Sequence, residues 1–359
     1  MKKILVMGAG HGGQALAADL ALRGHEVRLF EHPDFKETVQ ALNARNCTIE
    51  LENKLTGTAR LACVTTDPAV AMQGVELIYF AAPSYAQQAF WDLTLPYFED
   101  GQIIILTPGN FGTFSLKHAL GKLGKHVLVG EMDNLPYACV ATEPGRVTVR
   151  GIKKMLGLAV LPGTDYEAVD KALQGAFCAS WKKMDNVLQS SMSGMNMVLH
   201  CLPMLMNCGR IENDSRGFGF YGEGMSGSIC SAMELFDQER LAVAKAFGLT
   251  LSTTLDMVRT QYNVEGQDLY SVIQANPAYV TGKADAPTTI HHRFLTEDVP
   301  FSLLPTVELG RVAGVPMPVM EATLTLCTLI LGEKHGKCGQ SLEKMGLTGK
   351  SAEDILNIL

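Results

Sequence analysis

Lys3 to Glu31 reads KILVMGAGHGGQALAADLALRGHEVRLFE, and its order is strand, glycine turn, helix, strand. Ile4-Leu5-Val6-Met7 is continuously apolar, as a parallel strand covered on both faces should be. It runs into Gly8-Ala9-Gly10-His11-Gly12-Gly13, a G-x-G-x-x-G turn between strand and helix, which is the setting that gives this otherwise weak pattern its meaning. Gly8 permits the tight turn, Gly10 removes the Cβ that would block a pyrophosphate, and Gly13 lets the helix lie close to the strand, with His11 and Gly12 completing the loop. The helix, expected over Gln14 to Arg23 and stopped by Gly24, turns its free N–H groups toward the phosphates. A second strand, Val27 to Phe30, ends at Glu31, about 20 residues beyond the glycines, where a dinucleotide's ribose 2′-hydroxyl is bound. A carboxylate there bonds a free hydroxyl and repels a 2′-phosphate, so NAD(H) is favoured. His32 and Lys36 soften that repulsion and keep NADP(H) admissible.

The bulk numbers agree with a globular protein of two domains. The chain has 359 residues, 47% hydrophobic and 19% charged, which excludes disordered and fibrous classes. A net charge of −7 with no Lys/Arg block argues against nucleic acid. The stretch Met192 to Met206 is too short and too polar to span a bilayer. Nine cysteines without a C-x-x-C pair, behind an opening that carries no signal peptide, predict reduced thiols, no metal site and a cytoplasmic protein.

Further along, Val75 to Ala82 and Gly101 to Leu106 continue the buried strands. They stop at Pro83-Ser84, where Ser84 is expected to cap the next helix, and at Thr107-Pro108-Gly109-Asn110. Ligands of parallel sheets lie beyond the carboxyl ends of the strands, so Pro83, Pro108, Gly109 and Asn110 are candidate walls of the nicotinamide pocket, against ordinary turn chemistry as the bland reading. Tyr137 to Arg150 carries a hairpin signal around Glu143-Pro144-Gly145, and Leu156 to Leu161 is expected as the last strand. From about residue 185 helical patterns take over. The expectation is a doubly wound Rossmann-type α/β domain over 1–184 and an all-α domain over 185–359.

Reducing a carbonyl or imine also requires a proton donor that titrates near neutrality, for which histidine is the natural side chain. His200 lies on a mostly apolar helix with Asn196 one turn earlier, a pattern that also suits a core histidine. The second polar cluster is His291-His292-Arg293-Phe294-Leu295-Thr296-Glu297-Asp298, in which Thr296 looks like an N-cap and Asp298 like a first-turn carboxylate.

Four segments, Gly8–Gly13, Glu143 to Val149, Asn196 to Pro203, and Arg293 to Asp298 with the following Leu304-Pro305 and Glu308 to Arg311, make the chain resemble the octopine and opine dehydrogenase family along essentially its whole length. The resemblance implies that His200 is the general acid/base, that Asp298 orients and polarises it, and that Arg293 clamps a substrate carboxylate with Asn196 nearby. It further implies reductive condensation of an L-amino acid with a 2-oxo acid such as pyruvate, and a homodimer is compatible with it. The second carboxylate is left open among Arg210, Arg216, His291 and His292. A ketopantoate-reductase-like or 2-hydroxy-acid dehydrogenase is the nearest alternative. Its relatives place a lysine where His200 lies, and no lysine occurs between Lys183 and Lys245. A non-catalytic NAD-responsive binding protein is the alternative of another class.

Overall fold

β1 (Lys3–Met7) is flanked on both sides by parallel neighbours, β2 (Glu26–Phe30) and β6 (Leu77–Phe80), with Met7 in register with Phe30 and Phe80. Its side chains alternate between two cores: Ile4 and Val6 join one apolar cluster with Leu16, Val147 and Leu158, while Leu5 and Met7 join another with Phe80, Trp91 and Leu116. That double burial is why the strand carries no polar residue, each such side chain contributing about 1.5–3 kcal/mol. The computed structural model describes residues 1–177, 179–332 and 339–359.

The eight-stranded sheet has the order β12-β11-β8-β7-β6-β1-β2-β5. Its remaining strands are β5 (Cys63–Thr65), β7 (Ile103–Leu106), β8 (Leu128–Met132), β11 (Met155–Leu161) and β12 (Ser180–Lys183). It is parallel from β5 to β8, whereas β11 runs antiparallel to β8. A four-stranded sheet of β3 (Thr48–Asn53), β4 (Gly57–Arg60), β9 (Tyr137–Glu143) and β10 (Arg146–Ile152) packs on the first helix, α1 (His11–Leu22). Two buried polar bonds fix it there: Tyr137 Oη donates to Asp19 Oδ2 at 2.7 Å, and Gly145 N donates to Gln14 Oε1 at 2.8 Å.

By its internal contacts the chain forms two units, Met1–Ser191 with Ile358–Leu359, and Met192–Asn357. The first runs past residue 184 to Ser191, which the short helix Val187–Met192 carries to Glu131 at 2.8 Å. The last two residues return to it, with Gly163 N donating to Leu359 O at 2.5 Å. The doubly wound N-terminal sheet and the helical C-terminal unit are as expected. Other local expectations differ. α1 starts at His11 rather than Gln14. Ser84 is the first residue of a 3-10 turn, Ser84–Ala86, rather than the residue before it, and it is buried and accepts from Asn110. Thr296 closes a helical turn instead of opening one.

In the second unit the described elements are helical, the longest being Gly227–Ala246, whose N-terminus is capped by Ser226. Inside it Arg240 is fully buried yet satisfied, donating to Asp237 Oδ1, Met192 O and Ser252 O at 2.7–2.8 Å. Loss of Asp237 would leave an uncompensated buried charge. Among the described residues no helix is long and apolar enough to cross a membrane.

Candidate active site

β1 delivers the chain to Gly8, whose φ of +100° is open to glycine and whose added Cβ would meet Ala82 at 3.0 Å. A Cβ on Gly13 would lie 1.8 Å from Gly8 O, so the close departure of α1 depends on that glycine. The space over Gly10 is different: a Cβ there meets nothing within 4 Å. Open space at this point, in front of a helix N-terminus with no side-chain cap, fits a pyrophosphate. The space left by Gly12 is taken by Leu135, which a Cβ would strike at 2.4 Å. His11 accepts from Ala141 N at 2.8 Å through Nδ1 and so pins the β9 strand to the turn.

Glu31 follows β2 and is 8% exposed. Its Oε2 accepts from Ala9 N at 2.6 Å and its Oε1 from His32 N at 2.7 Å. Burial raises its pKa, opposed by those two N–H donors and by His32. The carboxyl group is thereby fixed beside the glycine turn.

Two loops stand at the ends of the next strands. Asn110 Nδ2 donates to Ser84 Oγ at 2.7 Å and joins the loop after Pro83 to the loop Thr107–Asn110, in which the Thr107–Pro108 peptide is cis. Gln87 Nε2 donates to Gly109 O at 3.0 Å, and a Cβ on Gly109 would overlap Glu131 at 2.0 Å. Glu131, at the end of β8, is fully buried. It accepts from Thr113 Oγ1 and from Ser191 Oγ, and Ser191 in turn accepts from Phe111 N at 2.8 Å. Burial pushes its pKa up to about 7, against those hydroxyls and with added repulsion from Asp133.

In the helical unit His200 sits in the middle of the helix Asn196–Met206, 6% exposed. Its Nδ1 lies 2.6 Å from Asp298 Oδ2 and its Nε2 lies 2.9 Å from Tyr221 Oη. Phe294 stacks on the imidazole with centroids 3.7 Å apart and planes 12° from parallel, and His292 meets Phe294 edge-on at 4.4 Å. Asp298 reaches the ring because it caps nothing: it precedes a single π-type turn, Val299–Leu303, and makes no side-chain bond to that turn. Such turns recur where a helix is re-aimed at a functional site. Asp298 thus engages Nδ1, and Nε2 is the ring nitrogen turned toward Tyr221.

Arg293 opens the short helix Arg293–Thr296, its side chain 62% exposed and bonded to Glu297 through Nε and Nη2 at 3.1 and 3.0 Å. Asn196 is exposed at the start of its helix, and the ring nitrogens of His200 are taken by Asp298 and Tyr221 rather than by it. Of the residues left open for a second carboxylate, Arg210 pairs with Glu223 and covers Phe218, and Arg216 pairs with Asp214 in solvent. His292 is near His200, and its pKa is lowered by burial and by Arg293. Among the described residues no cluster of His, Cys, Asp and Glu could hold a metal ion.

Known proteins match along the whole chain. Residues 183–331 match the family profile of the NAD/NADP octopine/nopaline dehydrogenase α-helical domain, and residues 3–130 that of the NAD-dependent glycerol-3-phosphate dehydrogenase N-terminus. The opine dehydrogenase of Arthrobacter sp. (strain 1C) is 33% identical over 356 residues, spanning 99% of this chain and 98% of the relative. The chain belongs to the opine dehydrogenase family. It is an NAD(P)-dependent oxidoreductase of the class that acts on CH–NH donors, and its substrates are small molecules. Two solved structures share the fold. Octopine dehydrogenase with NADH and pyruvate superposes with a TM-score of 0.78 at 21% identity, covering 99% of this chain and 98% of its own. NADP+-bound yersinopine dehydrogenase does so with 0.72 at 14%, covering 100% and 97%.

Three groups, Glu131 in the first unit and Tyr221 and Phe294 in the helical one, carry no sequence signal strong enough to find them. Tyr221 lies in a glycine-rich loop without periodicity, Phe294 follows a polar run as an ordinary apolar residue beside Leu295, and Glu131 ends what reads as an apolar strand.

Proposed function

We propose that the enzyme condenses the α-amino group of an L-amino acid with a 2-oxo acid and reduces the resulting imine to an N-(1-carboxyalkyl) amino acid, and runs the reverse. The observation that carries this is the buried His200–Asp298 contact of 2.6 Å, a proton-handling pair in the helical unit of a dinucleotide-dependent family. Gly8, Gly10, Gly12, Gly13, His11 and Glu31, with Pro83 and the Pro108–Asn110 loop, would hold the dinucleotide, which when bound supplies a hydride to the imine carbon.

His200 supplies the proton, and Asp298 keeps its Nδ1 protonated so that the exchange runs through Nε2. Arg293 takes a substrate carboxylate, since a half-released guanidinium matches it bidentately, and Asn196 lies one turn from His200 to bond the substrate. Glu31 favours NADH over NADPH. Pyruvate is the first oxo acid to test because a structural relative was solved with it. The described cysteines are free thiols, which supports a reducing, cytoplasmic setting.

The test is NADH oxidation by the purified protein with pyruvate, with and without a panel of L-amino acids, products identified by mass. Oxidation that needs both partners and yields their condensed mass is expected. Oxidation with pyruvate alone would make the enzyme a hydroxy-acid dehydrogenase. His200→Ala should lower turnover by about a hundred- to ten-thousand-fold while NADH affinity stays. Equal losses in both would mark a structural histidine.

A further inference from the structure

We propose that Tyr221 is a catalytic residue whose hydroxyl carries the proton between His200 Nε2 and the substrate nitrogen. The inference rests on the reaction proposed above. Asp298 occupies Nδ1 of His200, so Nε2 is the ring nitrogen left for exchange. Phe294 covers one ring face at 3.7 Å, and Tyr221 Oη faces Nε2 at 2.9 Å. A substrate must therefore either displace this hydroxyl or use it.

Displacement is opposed by the packing of the Tyr221 ring. It stacks on Tyr279 with centroids 4.5 Å apart and planes 17° from parallel, and it meets the buried Phe220 edge-on at 5.2 Å. Tyr279 is itself backed by Tyr262 at 4.9 Å, and Phe220 N is tied to Asp285 at 2.9 Å. Swinging the ring aside would break this aromatic stack, whose stacked and edge-on pairs are favourable beyond the area they bury.

A phenol can accept and donate at once. Burial, with Tyr262, Asp298 and Asp285 nearby, raises the Tyr221 phenol above its ordinary pKa, so it stays neutral and passes a proton on without keeping a charge. In the forward direction the Nε2–H bond of the imidazolium breaks as its proton bonds to Tyr221 Oη. The original O–H bond breaks as that proton bonds to the imine nitrogen. His200 ends neutral, Tyr221 ends as the phenol it was, and the nitrogen gains the single positive charge that prepares its carbon for reduction.

The experiment is a single-turnover measurement of condensation by wild type, Tyr221→Phe and His200→Ala in mixtures of H₂O and D₂O, with NADH affinity measured separately by fluorescence. The relay predicts a bowed dependence on deuterium fraction for wild type, from two protons in flight. It also predicts a rate at least tenfold lower for Tyr221→Phe, with NADH affinity within twofold. A straight-line dependence in wild type, or a Tyr221→Phe rate within twofold of wild type while His200→Ala is inactive, would overturn the relay and leave the condensation reading standing. Absence of condensed product from wild type would instead remove the reaction on which both rest.

Discussion

Glu131 offers a prediction whose size can be worked from its surroundings. It is a fully buried carboxyl group whose pKa stands at about 7 against an ordinary 4.5. The folded chain keeps this proton over a pH range in which the unfolded chain has released it, so stability declines as pH rises from about 4.5 through about 7. At about 1.4 kcal/mol per unit, the wild type loses about 2 to 3 kcal/mol from this one group between pH 5 and pH 8. Glu131→Gln is neutral throughout. Its amide oxygen can still accept from Ser191, and its NH₂ can donate to Thr113 after the hydroxyl rotates. For a unit of this size 1 kcal/mol moves Tm by about 2–4 °C. The wild-type Tm minus the Glu131→Gln Tm should therefore be about 5–10 °C larger at pH 5 than at pH 8, read by calorimetry on the melting of the nucleotide-binding unit. A difference that holds constant to about 2 °C across that range would refute the assignment of a retained proton to Glu131.

Two further substitutions probe the two ends of the chemistry. Glu31→Ala should erode the preference for NADH over NADPH by about tenfold, the worth of one charge-assisted hydrogen bond, measured as the ratio of kcat/KM values. An unchanged ratio would remove the ribose role. Asp298→Asn should lower kcat by at least about a hundredfold while the fold and NADH affinity persist, because an amide no longer requires the proton to sit on Nδ1. A loss confined to KM would show that Asp298 acts on binding alone.

The nucleotide-binding half was legible because its signals are local. Four apolar residues, a spaced set of glycines and one acid describe a strand, a turn and a second strand without help from distant parts of the chain. β12 escaped because Ser180-Trp181-Lys182-Lys183 is an edge strand with mostly exposed side chains, and no alternation marks it. The reversal of β11 against β8 was hidden too, since a buried antiparallel strand in a covered sheet reads like a parallel one. His200 and Asp298 are 98 residues apart, and spacing alone would have left both with structural readings. Their meeting is decided by how the helices pack and by a π-type turn that frees Asp298 from capping. Tyr221 and Glu131 were illegible for the same reason: what matters in each is a neighbour supplied by another element.

The return of Ile358 and Leu359 to the first unit changes what kind of object the helical unit is. Residues 192–357 form one uninterrupted segment that the chain enters and leaves from the same host. In engineering terms it is an insert. Joining Ser191 to Ile358 through a flexible linker would remove it while keeping the Gly163–Leu359 bond, and the product should retain NADH binding without turnover. Conversely, the same two junctions are where the helical unit of another family member could be spliced in, and the amino acid used by such a chimera would show which unit sets the preference.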